Sequence, residues 1–305
     1  MFRGMDVLRT PEGRFDDLVG YDFEPCYVEV PDGEGGTLRV HHLDEGNPDA
    51  EVVLLMHGEP SWSYLYRTMV PVLTAAGFRV VAPDLVGFGR SDKPAQRSDY
   101  TYARHVEWMR AALFDVLDLQ QVTLFCQDWG GLIGLRLVGE HPDRFARVAV
   151  ANTFLPAGEG ASDAFFMWRE LSQTTEVFDV GAIIDMGTVR EVSDAVKAAY
   201  DAPFPDETYK EGARQFPMLV PVEPDDPAVP ANLEAWKVLE AFTEPFLVAF
   251  SDSDPITGGA SKFFHERVPG TEGQPHVTIE GAGHFLQEDK GPELAGILVD
   301  WMLGS

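Results

Sequence analysis

The stretch 122-VTLFCQDWGGLIGLRLVGEHPDR-144 changes character at its centre. Residues 122–126 are β-branched and apolar without alternation, the pattern of a strand buried on both faces. Beyond Gly130 and Gly131, the apolar residues Leu132, Ile133, Leu135, Leu137 and Val138 recur at helical spacing, and 141-HPDR-144 stops the helix. Between the two lies Asp128, with the small residues Cys126 and Gly130 two places away on either side. Strand, small-x-acid-x-Gly, helix describes a tight turn that lifts its central side chain above the carboxyl edge of a sheet. Behind that side chain, the free N–H groups of the helix N-terminus favour an anion. A simpler reading makes Asp128 a helix N-cap and nothing more.

Working outward, short runs of the same kind recur, each followed by turn residues and a helical pattern: 52-VVLLM-56, 78-FRVVAPD-84, 147-RVAVAN-152, 246-FLVAF-250 and 276-HVTI-279. They predict a mostly parallel central sheet flanked by helices. Ahead of them, 26-CYVEV-30 and 37-TLRVHHL-43 flank the turn 32-DGEGG-36 and predict an antiparallel hairpin at the sheet edge. The rhythm breaks between residues 155 and 228, where 165-FFMWRELSQ-173 and 192-VSDAVKAAYDAPFP-205 are helical and 221-PVEPDDPAVP-230 is an acidic Pro-rich connection. The expected organisation is an α/β core of residues 1–154 and 229–305, with residues 155–228 inserted as an all-helical cap. Ligands of such sheets bind outside the carboxyl ends of the strands, so the cap would roof a pocket and exclude water.

Composition narrows the function. A chain of 305 residues at 45% hydrophobic content can bury a full core, and no apolar run approaches the length of a membrane span. The N-terminus MFRGMDVLRT has no apolar run behind its basic residues, so a cytoplasmic protein is expected. Two cysteines without metal-ligand spacing point to no disulfide framework, no metal and no cofactor. Cys126 reads as a small buried hydrophobe rather than a nucleophile. The net charge of −27 repels phosphate backbones and anionic lipid, which argues against nucleic acid and membrane as partners. It suits a self-repelling monomer, or a salt-rich habitat where such charge is screened.

Three further stretches support a catalytic Asp128. In 281-GAGHFLQE-288, His284 sits in a Gly-rich turn directly after the last strand. In 250-FSDSDP-255, Asp252 and Asp254 follow a strand, and either can orient an imidazole; Pro255, which ends the turn, favours Asp254. Nucleophile, acid, His is the chain order of the α/β-hydrolases. In that fold the loop after 52-VVLLM-56 and the residue after the nucleophile supply the oxyanion donors, here the N–H groups of Glu59 and Trp129. His57 is expected to hold that loop by hydrogen bonds.

An aspartate in the nucleophile position suits displacement at saturated carbon, since a carboxylate with a reference pKa near ~3.9 is already ionised at neutral pH. The product is an alkyl ester, which water activated by His284 would open at the carboxyl carbon. Alkyl halides and epoxides both fit. Epoxide opening makes an alkoxide that needs a proton donor, usually a pair of tyrosines, for which Tyr200 and Tyr209 are the candidates. Halide needs no proton, only donors such as indole N–H in a dry pocket. Trp129 and Trp168 answer that need and favour a halide over an epoxide.

These residues, with 57-HGEPSWSYLYR-67, APDLVGFGRSDKP, QDWGG, 200-YDAPFPDETYKEGARQFP-217 and GAGHFLQE, resemble the haloalkane dehalogenases over nearly the whole length. The chain looks closest to the branch whose second halide-holding Trp comes from the cap. The resemblance implies Asp128 as nucleophile, His284 as base and Asp254 as its acid partner. It further implies Glu59 and Trp129 as oxyanion donors, Trp129 and Trp168 as the halide pair, and Phe165 and Pro217 as pocket lining. It also implies a small haloalkane substrate and a halide ion as product. Where a sister branch reads HGNP, this chain has Glu59, and Asn152 stands where that branch places its acid.

Overall fold

The computed structural model describes residues 4–304. Their strands are β1 (Val7–Leu8), β2 (Cys26–Pro31), β3 (Thr37–Glu45), β4 (Val52–Met56), β5 (Arg79–Pro83), β6 (Lys93–Pro94), β7 (Val122–Gln127), β8 (Phe145–Ala151), β9 (Phe246–Ser251) and β10 (Val277–Ile279). Eight of them form one sheet in the order β10-β9-β8-β7-β4-β5-β3-β2, while β1 and β6 pair separately. The hairpin β2–β3 lies at one edge and β3 pairs antiparallel with β5; every pairing from β5 across to β10 is parallel. The small β1–β6 pair is too short to leave a periodic signal in the sequence.

The helices are α1 (Val70–Ala75), α2 (Tyr102–Arg110), α3 (Trp129–Glu140), α4 (Asp163–Thr174), α5 (Val180–Met186), α6 (Asp194–Asp201), α7 (Glu211–Gln215), α8 (Val229–Leu239), α9 (Ser261–Arg267) and α10 (Leu286–Leu303). Every residue of β7 and of β9 is buried, which is why neither strand alternates. Helix α3 packs against α8, and α1 against α10. None of the helices among the described residues is long and apolar enough to cross a membrane.

Strand order fixes where a ligand can sit. From β4 the chain moves outward to β5, then returns to lay β7 on the other side of β4. The loops leaving β4 and β7 therefore part in opposite directions and open a crevice at the carboxyl edge. Register pairs Met56 with Cys126, so residues 57–59 run beside Asp128.

Between β8 and β9 all regular structure is helical. Three of these helices start on side-chain caps: Ser162 accepts the Phe165 N–H, Asp179 the Ala182 N–H and Ser193 the Val196 N–H. Each cap contributes about 1 kcal/mol, which helps helices of such modest length to hold. Helix α4 is the 12-residue element that carries Phe165 and Trp168.

Candidate active site

Asp128 occupies φ 51°, ψ −129°, a left-handed conformation that a side chain adopts only where the surroundings force it. Several contacts do so. The Asp128 N–H donates to the Asn152 carbonyl at 3.1 Å, and the Asp128 carbonyl accepts the Thr153 hydroxyl at 2.7 Å. A Cβ on Gly130 would lie 2.0 Å from the Met56 carbonyl oxygen, so the turn after Asp128 has room for glycine alone. On the other side, a Cβ on Gly58 would stand 2.1 Å from Asp128 Oδ1. Because that position is bare, the Glu59 N–H reaches Oδ1 and donates at 2.7 Å.

His284 stands across the crevice, in the loop between β10 and α10. Its Nδ1 lies 3.1 Å from Asp254 Oδ2 and its Nε2 lies 3.5 Å from Asp128 Oδ2. Asp254 is fixed in turn by the Ile256 N–H at 2.9 Å, the Thr257 N–H at 3.2 Å and the Thr257 hydroxyl. Burial works to raise the Asp254 pKa, but His284 and these donors outweigh it and bring the carboxyl to about 2. Burial likewise works against a charged His284, yet Asp254 and Asp128 hold its pKa up to about 10. Asp252, the other carboxylate of the turn, instead accepts the N–H groups of Gly281 and Ala282 and shapes the loop that carries His284. His57 holds its loop from both ring nitrogens, Nδ1 to the Gly58 carbonyl at 2.9 Å and Nε2 accepting the Leu85 N–H at 3.0 Å.

Two buried amides escaped the sequence reading of the site. Gln127 Nε2 donates to the His284 carbonyl at 3.2 Å and lies 3.2 Å from His284 Nε2. The carbonyl bond fixes that nitrogen as a donor, so it pairs with the ring only when Nε2 is unprotonated. Asn152, at φ 40°, donates to the carbonyls of Gly283 and His284 and accepts the Ser251 N–H, tying β8, β9 and the histidine loop together. Neither role has a motif; only the position of Gln127 beside Asp128 hints at it.

A cavity of about 790 Å³ joins these groups. Asp128, His284, Glu59, Trp129, Trp168, Phe165 and Pro217 all line it, while Asp254 sits behind His284. Trp62, Trp236 and Trp301 spend their indole N–H groups on protein acceptors; Trp129 and Trp168 face the cavity. Burial, then the nearby Asp128, push the Glu59 carboxyl well above the usual range, and the Trp168 indole close to it works the other way.

The tyrosines that an epoxide would need do not line the cavity. The Tyr200 hydroxyl donates to Glu288 Oε2 at 2.8 Å. Glu288 is buried and also receives Arg67 through two bonds of 2.7 Å and Arg190 at 3.0 Å. Tyr200 is therefore part of a buried ionic cluster rather than a proton donor to Asp128.

The segment after α5 is wired to the histidine loop. The Phe285 N–H donates to the Gly187 carbonyl at 3.1 Å. Asp289 accepts the Gly283 N–H at 2.8 Å, the Val189 N–H at 3.0 Å and the Arg190 N–H at 3.0 Å. Met186, Gly187, Thr188 and Val189 form part of the cavity wall.

Residues 51–181 match the family model described as the alpha/beta hydrolase fold. The haloalkane dehalogenase of Psychrobacter cryohalolentis is 60% identical, with 98% of each chain covered. That of Mycobacterium marinum is 53% identical, covering 97% of this chain and all of its own. Among solved structures, the tetrameric haloalkane dehalogenase DpaA from Paraglaciecola agarilytica NO2 superposes with a TM-score of 0.88 at 39% identity, over 96% of this chain and 97% of that one. Fold, cavity and near full-length identity agree, and the chain belongs to the haloalkane dehalogenase family.

Proposed function

We propose that the enzyme dehalogenates haloalkanes hydrolytically through a covalent ester on Asp128. The observation that carries this reading is the split environment of the Asp128 carboxylate. Oδ1 is held by the Glu59 N–H at 2.7 Å, while Oδ2 faces the cavity with His284 Nε2 3.5 Å away. Oδ2 attacks the carbon that bears the halogen; the C–O bond forms as the C–halogen bond breaks, and the halide leaves with the bonding pair. The indole N–H groups of Trp129 and Trp168 receive that halide, with Phe165 and Pro217 keeping the site dry. Water then adds to the carboxyl carbon of the ester and gives its proton to His284 Nε2. The negative charge develops on Oδ1, where the N–H groups of Glu59 and Trp129 stabilise it. Collapse returns the Asp128 carboxylate and frees the alcohol, and halide and proton depart.

Charge explains the order of the two steps. While Asp128 is a free carboxylate, it and Asp254 favour imidazolium at His284. Esterification removes the Asp128 charge, so the His284 pKa falls and the ring becomes a base when a base is required. Gln127 favours the same outcome, because its fixed donor pairs only with unprotonated Nε2. Residues 155–228 serve as the roof, contributing Phe165, Trp168 and Pro217 to the pocket.

The test is product release from 1,2-dibromoethane, 1-chlorobutane and styrene oxide in separate, weakly buffered reactions. Halide and protons should appear together from the first two, with styrene oxide untouched. Diol without halide would replace this reading with epoxide hydrolysis.

A further inference from the structure

His284 is gripped from two directions. From the core, Asn152 Nδ2 donates to the Gly283 and His284 carbonyls at 2.9 and 3.0 Å, and the Ser251 hydroxyl donates to the Gly283 carbonyl at 2.8 Å. These bonds take carbonyls only. The N–H of Gly283, the residue before the imidazole, goes instead to Asp289 Oδ2 at 2.8 Å. Asp289 is half-buried at the end of the first turn of α10, next to Lys290, where the helix is broken at φ −137°, ψ 27°.

Asp289 divides its carboxylate between this loop and the roof. Oδ1 accepts the Arg190 N–H at 3.0 Å, and the Val189 N–H lies 3.1 Å from Oδ1 and 3.0 Å from Oδ2. Both oxygens are therefore needed as acceptors. An amide at this position would turn its NH2 group toward the Gly283 N–H in one orientation and toward the Arg190 N–H in the other, donor against donor. The backbones on either side are also in close contact. A Cβ on Gly283 would lie 2.4 Å from the Gly187 carbonyl oxygen, and one on Gly187 would lie 2.6 Å from the Phe285 ring. That ring in turn stands edge-on to the His284 imidazole, with 5.0 Å between centroids. Packing this tight passes a displacement on rather than absorbing it.

We propose that Asp289 is a positioning residue for His284. It holds the histidine loop and roof residues 187–190 in one register, so that Nε2 stands where the hydrolytic water gives up its proton. This inference rests on the dehalogenation reading above. Attack by Asp128 on the substrate needs no base, so Asp289 acts on hydrolysis of the ester and leaves its formation alone. In such a scheme kcat/KM reports the steps through halide departure, whereas kcat includes hydrolysis.

The experiment measures kcat and KM for 1,2-dibromoethane by halide release, with the intact mass of enzyme quenched during turnover. Asp289→Asn should lower kcat by tenfold or more, toward the roughly hundredfold that a misplacement of about 1 Å can cost. KM should fall by the same factor, leaving kcat/KM unchanged, and the alkyl mass should accumulate on Asp128. Gly187→Ala, which pushes the Phe285 ring toward His284 from the roof side, should give the same pattern and decides the matter if Asp289→Asn does not fold. A loss of kcat at constant KM, as a smaller folded fraction would produce, or two unchanged constants, overturns the inference and leaves dehalogenation standing. Absence of halide from the wild-type enzyme, or of the alkyl mass from His284→Phe, would overturn the dehalogenation reading and this inference with it.

Discussion

The floor and the roof of the cavity are built on different principles. The floor comes from strand ends of one sheet: Asp128 after β7, Glu59 after β4, Asp254 after β9 and His284 after β10. Asp128 is fixed by the Asn152 carbonyl and the Thr153 hydroxyl, Asp254 by the N–H groups of its own turn, and the His284 loop by the side-chain amides of Gln127 and Asn152. The roof comes from short helices and their connections, held by side-chain caps and by the cluster of Arg67, Arg190 and Tyr200 around buried Glu288. The groups proposed for the bond-making steps sit on the floor, while the roof supplies Phe165, Trp168 and Pro217 to the cavity wall.

The sharpest way to break this contrast is at the floor. His284→Phe should leave Oδ2 able to attack but remove the base, so halide release stops after one equivalent and Asp128 gains the mass of the alkyl group. Turnover should fall by about ten-thousandfold or more, in line with loss of a residue that acts as a unit with others. An inert, unmodified protein would remove the covalent scheme. The next effect is on how the roof is held. Arg67→Met would leave buried Glu288 with the Tyr200 hydroxyl and the solvent-exposed Arg190, and breaking such a pair costs about 3 kcal/mol, measured by denaturant unfolding. Arg67 holds the Glu288 pKa down against burial, so the stabilisation is present at neutral pH and lost as pH falls through the lowered value. The variant should therefore show a flatter acid limb of stability.

Smaller effects distinguish the two regions more finely. Trp168→Phe removes the proposed roof donor to halide, worth about 1.5 kcal/mol for a bond to a charged group, so bromide Kd from fluorescence quenching should rise about tenfold. An unchanged Kd would confine halide binding to the floor. Gln127→Met removes the donor that pairs with unprotonated His284. The groups facing that ring are Asp128, Asp254 and, from the β4 loop, Glu59. Without the amide, protonation of the alkyl-enzyme becomes easier, and the acid limb of the kcat–pH profile should move up by about one unit. A profile that does not move assigns Gln127 a packing role only.

The same division governs what the sequence reveals. Strands buried on both faces betray themselves by continuous apolar runs, and a tight turn imposes small residues at set spacing, so Asp128, His284 and the β4 loop stand out in the chain. The choice of Asp254 over Asp252 rests on which side chain turns inward, for which Pro255 and the resemblance to the family are the only marks in the sequence. The roof leaves fainter traces. Trp168 lies in an ordinary amphipathic helix, and only the resemblance to the family distinguishes it from core. Tyr200 offered itself as a proton donor because its partner Glu288 lies 88 positions away, and Arg67, which also binds Glu288, lies 221 positions from Glu288, contacts that no local pattern records. Gln127 and Asn152 act through amides that could serve any buried turn.

The bonds from Asp289 and Phe285 to residues 187–190 bear on how such enzymes can be recombined. Asp289 and Phe285 belong to the last core segment, yet their partners belong to the insertion. Replacing the insertion with that of a relative while keeping this C-terminal segment would leave the Phe285 N–H and the Asp289 carboxylate facing a mismatched loop, and His284 beside them would inherit the error. A working chimera of this enzyme should therefore exchange residues 283–289 together with the roof, although the 54 residues 229–282 of core chain separate the two.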